Sequence, residues 1–200
     1  AHMDDSTSFQ VYMNCEETQD AVWAVDETKD QVLTYHDEIV ESFYYSTSSG
    51  YNGGARVWSD AASAADDYLI ETGEELYASN SEEGEQAYQQ YIDNGNEEDV
   101  EYHEAWYRWS YVKSLEGSAA KKFLQKLYEL SMSYPDLVRI RSRKLSSDQL
   151  PDEEAVKDIW VINRKKSGLA SGIMIETAHF RVSVMSQYVV RQAFGCAQEV

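Results

Sequence analysis

Hydrophobic positions recur along this chain with two different periods. In "GSAAKKFLQKLYELSMSY" Ala120, Phe123, Leu124, Leu127 and Leu130 fall at helical spacing, which predicts a helix of about four turns with one buried face, stopped by Pro135. Beyond it the pattern alternates by twos, in "LVRIRSRKL" and then in "DIWVINRKKSGLASGIMIETAHFRVSV". Strands are expected there, with "KKSGLASG" as the punctuated turn between them. "MSQYVVRQAFG" then places Met185, Tyr188, Val189 and Phe194 near one helical stripe, with Gly195 at the C-terminal cap.

The first half is more mixed. "FQVYM", Phe9 to Met13, alternates as a strand, and "EETQDAVWAVDET" predicts a short helix burying Ala21, Val22 and Val25. "QVLTY" and "EIVESFYY" flank a two-residue polar turn at His36 and Asp37, the signature of a hairpin. From Ser59 to Asn96 the residues are mostly Ala, Ser, Asp and Glu, with one helix in "SEEGEQAYQQYIDNG", capped by Ser81 and closed by Gly95. In "YHEAWYRWSYVKSL" the aromatics Tyr102, Trp106, Tyr107, Trp109 and Tyr111 suit a strand. Hairpin connections predominate over βαβ units, so the expected class is α+β: a largely antiparallel mixed sheet with packed helices and an acidic, partly helical insertion at about 59–104.

Composition adjusts this picture at a few points. With 200 residues and 42% hydrophobic content, the chain suits one domain, at 4–200, with a sizeable core. Seventeen basic against 36 acidic residues give a net charge of -19, which argues against nucleic acid, whose phosphates need clustered Lys and Arg. The acids crowd between Ser59 and Glu104, whereas the bases gather in "SAAKKFLQK", "VRIRSRK" and "NRKK". The plainest reading is a solvated acidic insertion on a more balanced core. Cys15 and Cys196 make no disulfide scaffold; one bridge between the ends and two free thiols both fit. No apolar window of roughly 18 residues is present to span a membrane. Ala1, His2 and Met3 read as a cloning scar, with any native leader or anchor expected outside this sequence.

"FYYSTSSGYNGG", Phe43 to Gly54, is the segment that invites chemistry. A phosphate cradle usually has a Lys and a following helix, and the Lys is missing. Ser46, Ser48 and Ser49 lack the G-x-S-x-G frame of a nucleophile elbow, and His36, His103 and His179 are the histidines left as candidate bases. No histidine pair has metal-ligand spacing, and "DNGNEED" carries its glycine at the third position of a would-be calcium loop rather than the sixth. No carboxylate pair stands out for glycoside hydrolysis. Neither metal nor cofactor is therefore expected. Fifteen tyrosines and five tryptophans are generous. Aromatics beside hydroxyls hold sugar rings; the competing reading is that Trp58, Trp106, Trp109 and Trp160 fill the core.

Several segments, in order, resemble the stage II sporulation protein D family, which includes the amidase-enhancer proteins of bacterial cell walls. They are "DSTSFQVY" at Asp5 to Tyr12, "AV-x-x-T" at Ala24 to Thr28, the "QVLTY" hairpin, the "STSSG" loop and "VW" at Val57 and Trp58. "WYRWSY", "INRKKSGLASGIMIE" and "FRVSVMSQYVVRQAFG" continue the series. The resemblance implies peptidoglycan remodelling, as by lytic transglycosylases that cleave between N-acetylmuramic acid and N-acetylglucosamine. It implies glycan strands as substrate, a cell-wall amidase as further partner, and a place outside the cytoplasm, at the wall or anchored to a membrane. Ser46, Thr47, Ser48, Ser49 and Tyr51 would then line the glycan groove, with Trp58, Tyr107 and Trp109 nearby as packing or stacking groups.

Three departures qualify that transfer. The family's catalytic glutamate lies in a helical segment upstream of "DSTSFQVY", and no such segment occurs here, so the chain is expected to be part of a longer domain and no residue receives that role. Where some relatives carry His and Cys ligands for zinc, this chain has Tyr45, Ser48 and Tyr51, so the loop is expected to be held by hydrogen bonds and aromatic packing. Before Met185-Ser186-Gln187 the relatives' glycines and histidine are replaced by bulkier residues. The alternative function is a non-catalytic peptidoglycan-binding or amidase-enhancing module; a third reading makes the acidic insertion a protein-docking or calcium-facing surface.

Overall fold

A computed structural model of the chain describes residues 16–43, 49–99, 102–103, 107–142 and 155–195. The chain divides into two compact units, one of residues 1–44 with 197–200 and one of residues 45–196. The expected strand at 9–13 and both cysteines lie outside the described residues.

In the smaller unit, helix α1 (Gln19–Glu27) begins at Thr18, whose hydroxyl accepts from the Ala21 N–H at 3.3 Å. Strands β1 (Thr34–Tyr35) and β2 (Glu38–Ile39) pair antiparallel. His36 and Asp37 both take positive φ, 51° and 66°, as a tight primed turn requires. The expected burial of Ala21, Val22 and Val25 does not occur. No residue of α1 is buried, and Val25 is 68% exposed, because two-residue strands offer no face broad enough to cover a helix.

In the larger unit, α2 (Ala65–Tyr68) and α3 (Glu82–Asn94) precede α4 (Gly117–Ser133), and four strands follow: β3 (Val138–Ser142), β4 (Val156–Arg164), β5 (Ala170–Thr177) and β6 (Phe180–Met185), closed by α5 (Gln187–Phe194). The sheet is antiparallel throughout, in the order β3-β6-β5-β4. The fold is α+β. The five residues spaced for a helix face, Ala120, Phe123, Leu124, Leu127 and Leu130, are the buried residues of α4. The last four pack with Val138, Ile173, Ile175, Phe180, Val182 and Val184 of the sheet and Val189, Val190 and Ala193 of α5.

Three element boundaries depart from the expectation. "IMIETAHFRVSV" is two strands, folded back at Ala178 and His179. The Thr177 hydroxyl replaces the missing turn residues by accepting from the Phe180 N–H and donating to the Phe180 carbonyl, at 3.1 and 3.0 Å. The aromatic run at 107–111 is not a strand: Tyr107 and Arg108 form a turn, Arg108 at φ 47°, and residues 109–116 belong to no element. The buried stripe of α5 runs through Val189, Val190 and Ala193, whereas Met185 ends β6 and Phe194 is 37% exposed.

Candidate functional site

The acidic stretch sits on the basic hairpin between β4 and β5. Ser167, at the hairpin tip, is fully buried, and its hydroxyl donates to Glu71 Oε1 at 2.5 Å. Beside it the Glu74 N–H donates to the Lys166 carbonyl at 2.8 Å. Gly168, at φ 84°, lies so close to Tyr88 that a Cβ there would come within 1.8 Å of the ring, which is why the hairpin's glycine must stay a glycine. Arg164 donates through Nε to Glu85 at 2.8 Å, and its guanidinium lies 4.2 Å from the Tyr88 ring centre. Within the acidic stretch, Glu71 and Tyr88 are half-buried against the "RKKSG" turn, and Glu74 and Glu85 reach it while staying exposed to solvent.

A tyrosine cluster grows from the same stretch. Helix α3 starts at Ser81, whose hydroxyl accepts from the Gly84 N–H at 3.0 Å, and presents Tyr88 and Tyr91 three residues apart on one side. Tyr51 stacks on Tyr91 with ring centres 5.2 Å apart, and Tyr77 meets Tyr51, Tyr88 and Tyr91 at 6.2, 5.4 and 5.9 Å. The Arg108 guanidinium lies 4.0 Å from the Tyr91 ring centre and 5.0 Å from that of Tyr107. It donates to the Tyr91 carbonyl and, at 3.0 Å, to Asp99. Asp99 also accepts from the Tyr107 hydroxyl at 2.6 Å and from Asn96 Nδ2 at 2.9 Å.

The cluster fixes the described end of the Ser-Gly loop. The Tyr91 hydroxyl donates to the Ser49 carbonyl at 2.7 Å, and Tyr51 donates to Glu74 at 3.1 Å. Asn52 and Thr72 are doubly linked, the Asn52 N–H donating to the Thr72 hydroxyl at 2.8 Å and the Thr72 N–H to the Asn52 carbonyl at 3.0 Å. Hydrogen bonds and aromatic packing hold residues 49–52, as the absence of His and Cys from this segment implied.

Burial pushes the Tyr91 phenol up to about 12, with the nearby Arg108 charge opposing and Asp99 reinforcing the shift. Burial likewise raises Tyr51, Tyr77, Tyr88 and Tyr107; hydrogen bonds to Glu74 and Asp99 add to the rise at Tyr51 and Tyr107. Such phenols stay protonated near neutral pH and serve as hydrogen-bond donors rather than bases. Among the described residues, three buried side-chain polar atoms have no hydrogen-bond partner: Arg108 Nε, Ser186 Oγ and Gln187 Nε2. The last two belong to the Met-Ser-Gln segment, where Ser186 takes φ 77° at the start of α5.

Of the residues singled out from the sequence, Ser49, Tyr51 and Tyr107 come together in this cluster; Ser46, Thr47 and Ser48 lie outside the described residues. Trp58 lies against α5 instead, with the Arg191 guanidinium 5.3 Å from its ring centre and donating to the Val57 carbonyl at 2.7 Å. Trp109 is 55% exposed. None of the described tryptophans is buried, so the reading of Trp58, Trp109 and Trp160 as core fillers does not hold; Trp106, named with them, lies outside the described residues. Tyr77, Tyr88, Tyr91, Asp99 and Arg108 were not singled out, although the spacing of Tyr88 and Tyr91 within a predicted helix was a usable signal. Among the described residues no group of three or more His, Cys, Asp or Glu is placed to hold a metal ion, and no helix is long and apolar enough to cross a membrane. Compared with family models, curated proteins and solved structures, the chain matches none.

Proposed function

We propose that this domain engages glycan strands of the bacterial cell wall, outside the cytoplasm, with Ser46, Thr47, Ser48, Ser49 and Tyr51 as the lip that meets the sugar. The observation that carries the reading is the anchoring of Ser49 and Tyr51. Tyr91 holds the backbone of one and the ring of the other, and Glu74 orients the Tyr51 hydroxyl. A lip of hydroxyls on a stacked aromatic wall is the donor, acceptor and apolar-face combination that a saccharide ring offers partners for. The ordered resemblance of the sequence supplies the polymer class, and Trp58, Tyr107 and Trp109 are its outlying packing or stacking groups.

Within this reading, two activities separate. A lytic transglycosylase needs a protonated carboxyl beside the scissile bond. A binding or amidase-enhancing module needs the lip alone. The second is favoured by the state of the nearby carboxylates: Glu71, Glu74 and Asp99 each already accept a hydrogen bond from a serine, tyrosine or arginine side chain, which commits them to structure. The test is co-sedimentation with purified peptidoglycan together with muropeptide analysis of the digest. Retention without anhydro-sugar ends is the expected outcome, and Tyr51→Ala should reduce it several-fold. Anhydro ends would establish the transglycosylase instead, and a protein that does not sediment at all would remove the glycan reading.

A further inference from the structure

The sheet has a second face, turned away from α4 and α5, and its composition runs against that of the chain. Because side chains alternate along a strand, the residues between the buried Val138, Val182 and Val184 and the half-buried Ile140 stand on the other side. Here Arg141 is paired across from Arg181, Arg139 across from Ser183, and Glu176 across from Arg181 on the following strand. Met174 and then Trp160 continue the same face toward β4. These side chains, Trp160 apart, line a recess of about 370 Å³. In a chain of net charge -19, three arginines meet on one patch.

Like charges set directly across an antiparallel pair destabilise it unless a counter-charge relieves them. Arg181 has one: Glu176 accepts from its Nε and Nη2 at 3.2 and 2.9 Å. Arg139 and Arg141 are exposed and make no hydrogen bond or ion pair among the described residues. Two planar guanidinium forks thus stand unmatched on alternate positions of an edge strand, roughly 7 Å apart along the chain. That spacing is also the spacing of alternate side chains in an extended peptide.

We propose that this face docks an extended acidic peptide from a partner protein, with carboxylates at alternate positions meeting Arg139 and Arg141 and apolar side chains lying over Met174 and Trp160. Charge complementarity carries the choice of occupant. The basic half of the face gives way to Glu176 and, on β4, Asp158, the residue paired with Glu176. A uniform polyanion such as a phosphate polymer would be repelled by that second half, whereas a peptide mixing acidic and apolar residues suits both. The Arg181–Glu176 contact shows within the face the pairing that the incoming carboxylates would repeat. This site is separate in residues from the glycan lip and goes beyond that reading.

The experiment is calorimetric titration of the full chain, at low ionic strength, with a synthetic peptide alternating glutamate and leucine. Saturable binding that weakens as salt is added is expected. Arg139→Gln with Arg141→Gln should lower affinity roughly a hundredfold, at about tenfold for each lost charge-assisted contact. Both side chains are exposed, so the variant's far-ultraviolet circular dichroism and melting temperature should match the parent. The paired Arg→Lys variant, which keeps charge but loses the fork, should fall between the two. No saturable binding by the parent, or unchanged binding by the glutamine variant, would overturn the proposal. Tighter binding of polyphosphate than of the peptide would make the face a polyanion site. Self-association in sedimentation velocity that the glutamine variant abolishes would make the occupant a second copy. Either result overturns the proposal as stated.

Discussion

The two halves of the larger unit are stabilised by different chemistry. The half built from α4, α5 and the four strands is held by close-packed aliphatics, with Leu127, Ile175, Val182, Val184 and Val189 essentially without solvent contact. The half between Ser49 and Asp99 contributes to the buried apolar set only Ala55, Ala65 and Tyr77. In place of a core it has tyrosine rings, one buried arginine and a carboxylate with three donors. Chain made largely of Ala, Ser, Asp and Glu has too little apolar area to offset its ordering entropy by burial alone. A directional network takes over that task, and directional networks are sensitive to single atoms and to pH in ways that aliphatic packing is not.

The largest effect should come from the aliphatic half. Leu127→Ala is expected to cost about 4 kcal/mol, from lost transfer energy and the cavity left behind. Urea denaturation should show an earlier single transition, and amide exchange should rise in β5, β6 and α4 together. Next comes Arg108→Ala. Its side chain is only 4% exposed, and removing one partner of a buried ion pair costs about 3 kcal/mol or more. Here exchange should rise between residues 51 and 99 while β5 and β6 keep their protection. Equal loss in both halves would show that they unfold as one body and would break the comparison.

Ser167→Ala probes the latch between the halves. The buried hydroxyl donates to a carboxylate, and such a bond is worth about 2 kcal/mol when its loss strands the acceptor. A double-mutant cycle with Glu71→Gln should return a coupling of about 1 kcal/mol. Additive losses would mean that the halves are joined by the Glu74–Lys166 backbone bond and the Arg164–Glu85 pair instead.

The same contrast explains how much the sequence revealed. Aliphatic periodicity named all five buried residues of α4, because a helix packed on a sheet must repeat its apolar face. It missed the fold-back at Ala178 and His179, since the turn there is made by the Thr177 hydroxyl rather than by Gly or Pro. Apart from the spacing of Tyr88 and Tyr91 in a predicted helix, the tyrosine network was legible only as an excess of tyrosine. Asp99, Arg108 and Tyr91 are scattered over 18 positions in an acid-rich text, and no local period brings them together. Tyr51, Ser49 and Tyr107 were singled out for a different reason, the ordered resemblance, and the structure joins them to this network, although the strand expected around Tyr107 is a turn. Nothing in the sequence signalled that Trp58 would meet Arg191 of α5. The smaller unit failed the period argument from the other side: Val22 and Val25 have helical spacing and stay exposed.

The smallest change tests the sharpest difference. Tyr91→Phe removes the donor to the Ser49 carbonyl and should cost about 1 kcal/mol at neutral pH. Its larger signature lies at high pH. The folded phenol titrates at about 12 against an ordinary value of 10.0, so between those values the unfolded chain has lost a proton that the native state still holds. Stability then falls as pH rises. The contribution is intact below pH 10 and is lost through pH 12, and the other raised phenols of the cluster, Tyr51, Tyr77, Tyr88 and Tyr107, act in the same direction. Alkaline titration followed by phenolate absorbance and amide exchange should therefore loosen residues 51–99 before β5 and β6. The Phe variant, having no proton to lose at this position, should show a shallower decline above pH 10. An equally steep decline would place the alkaline sensitivity at the other raised phenols, those of Tyr51, Tyr77, Tyr88 and Tyr107 in the cluster or that of Tyr134 against the aliphatic core.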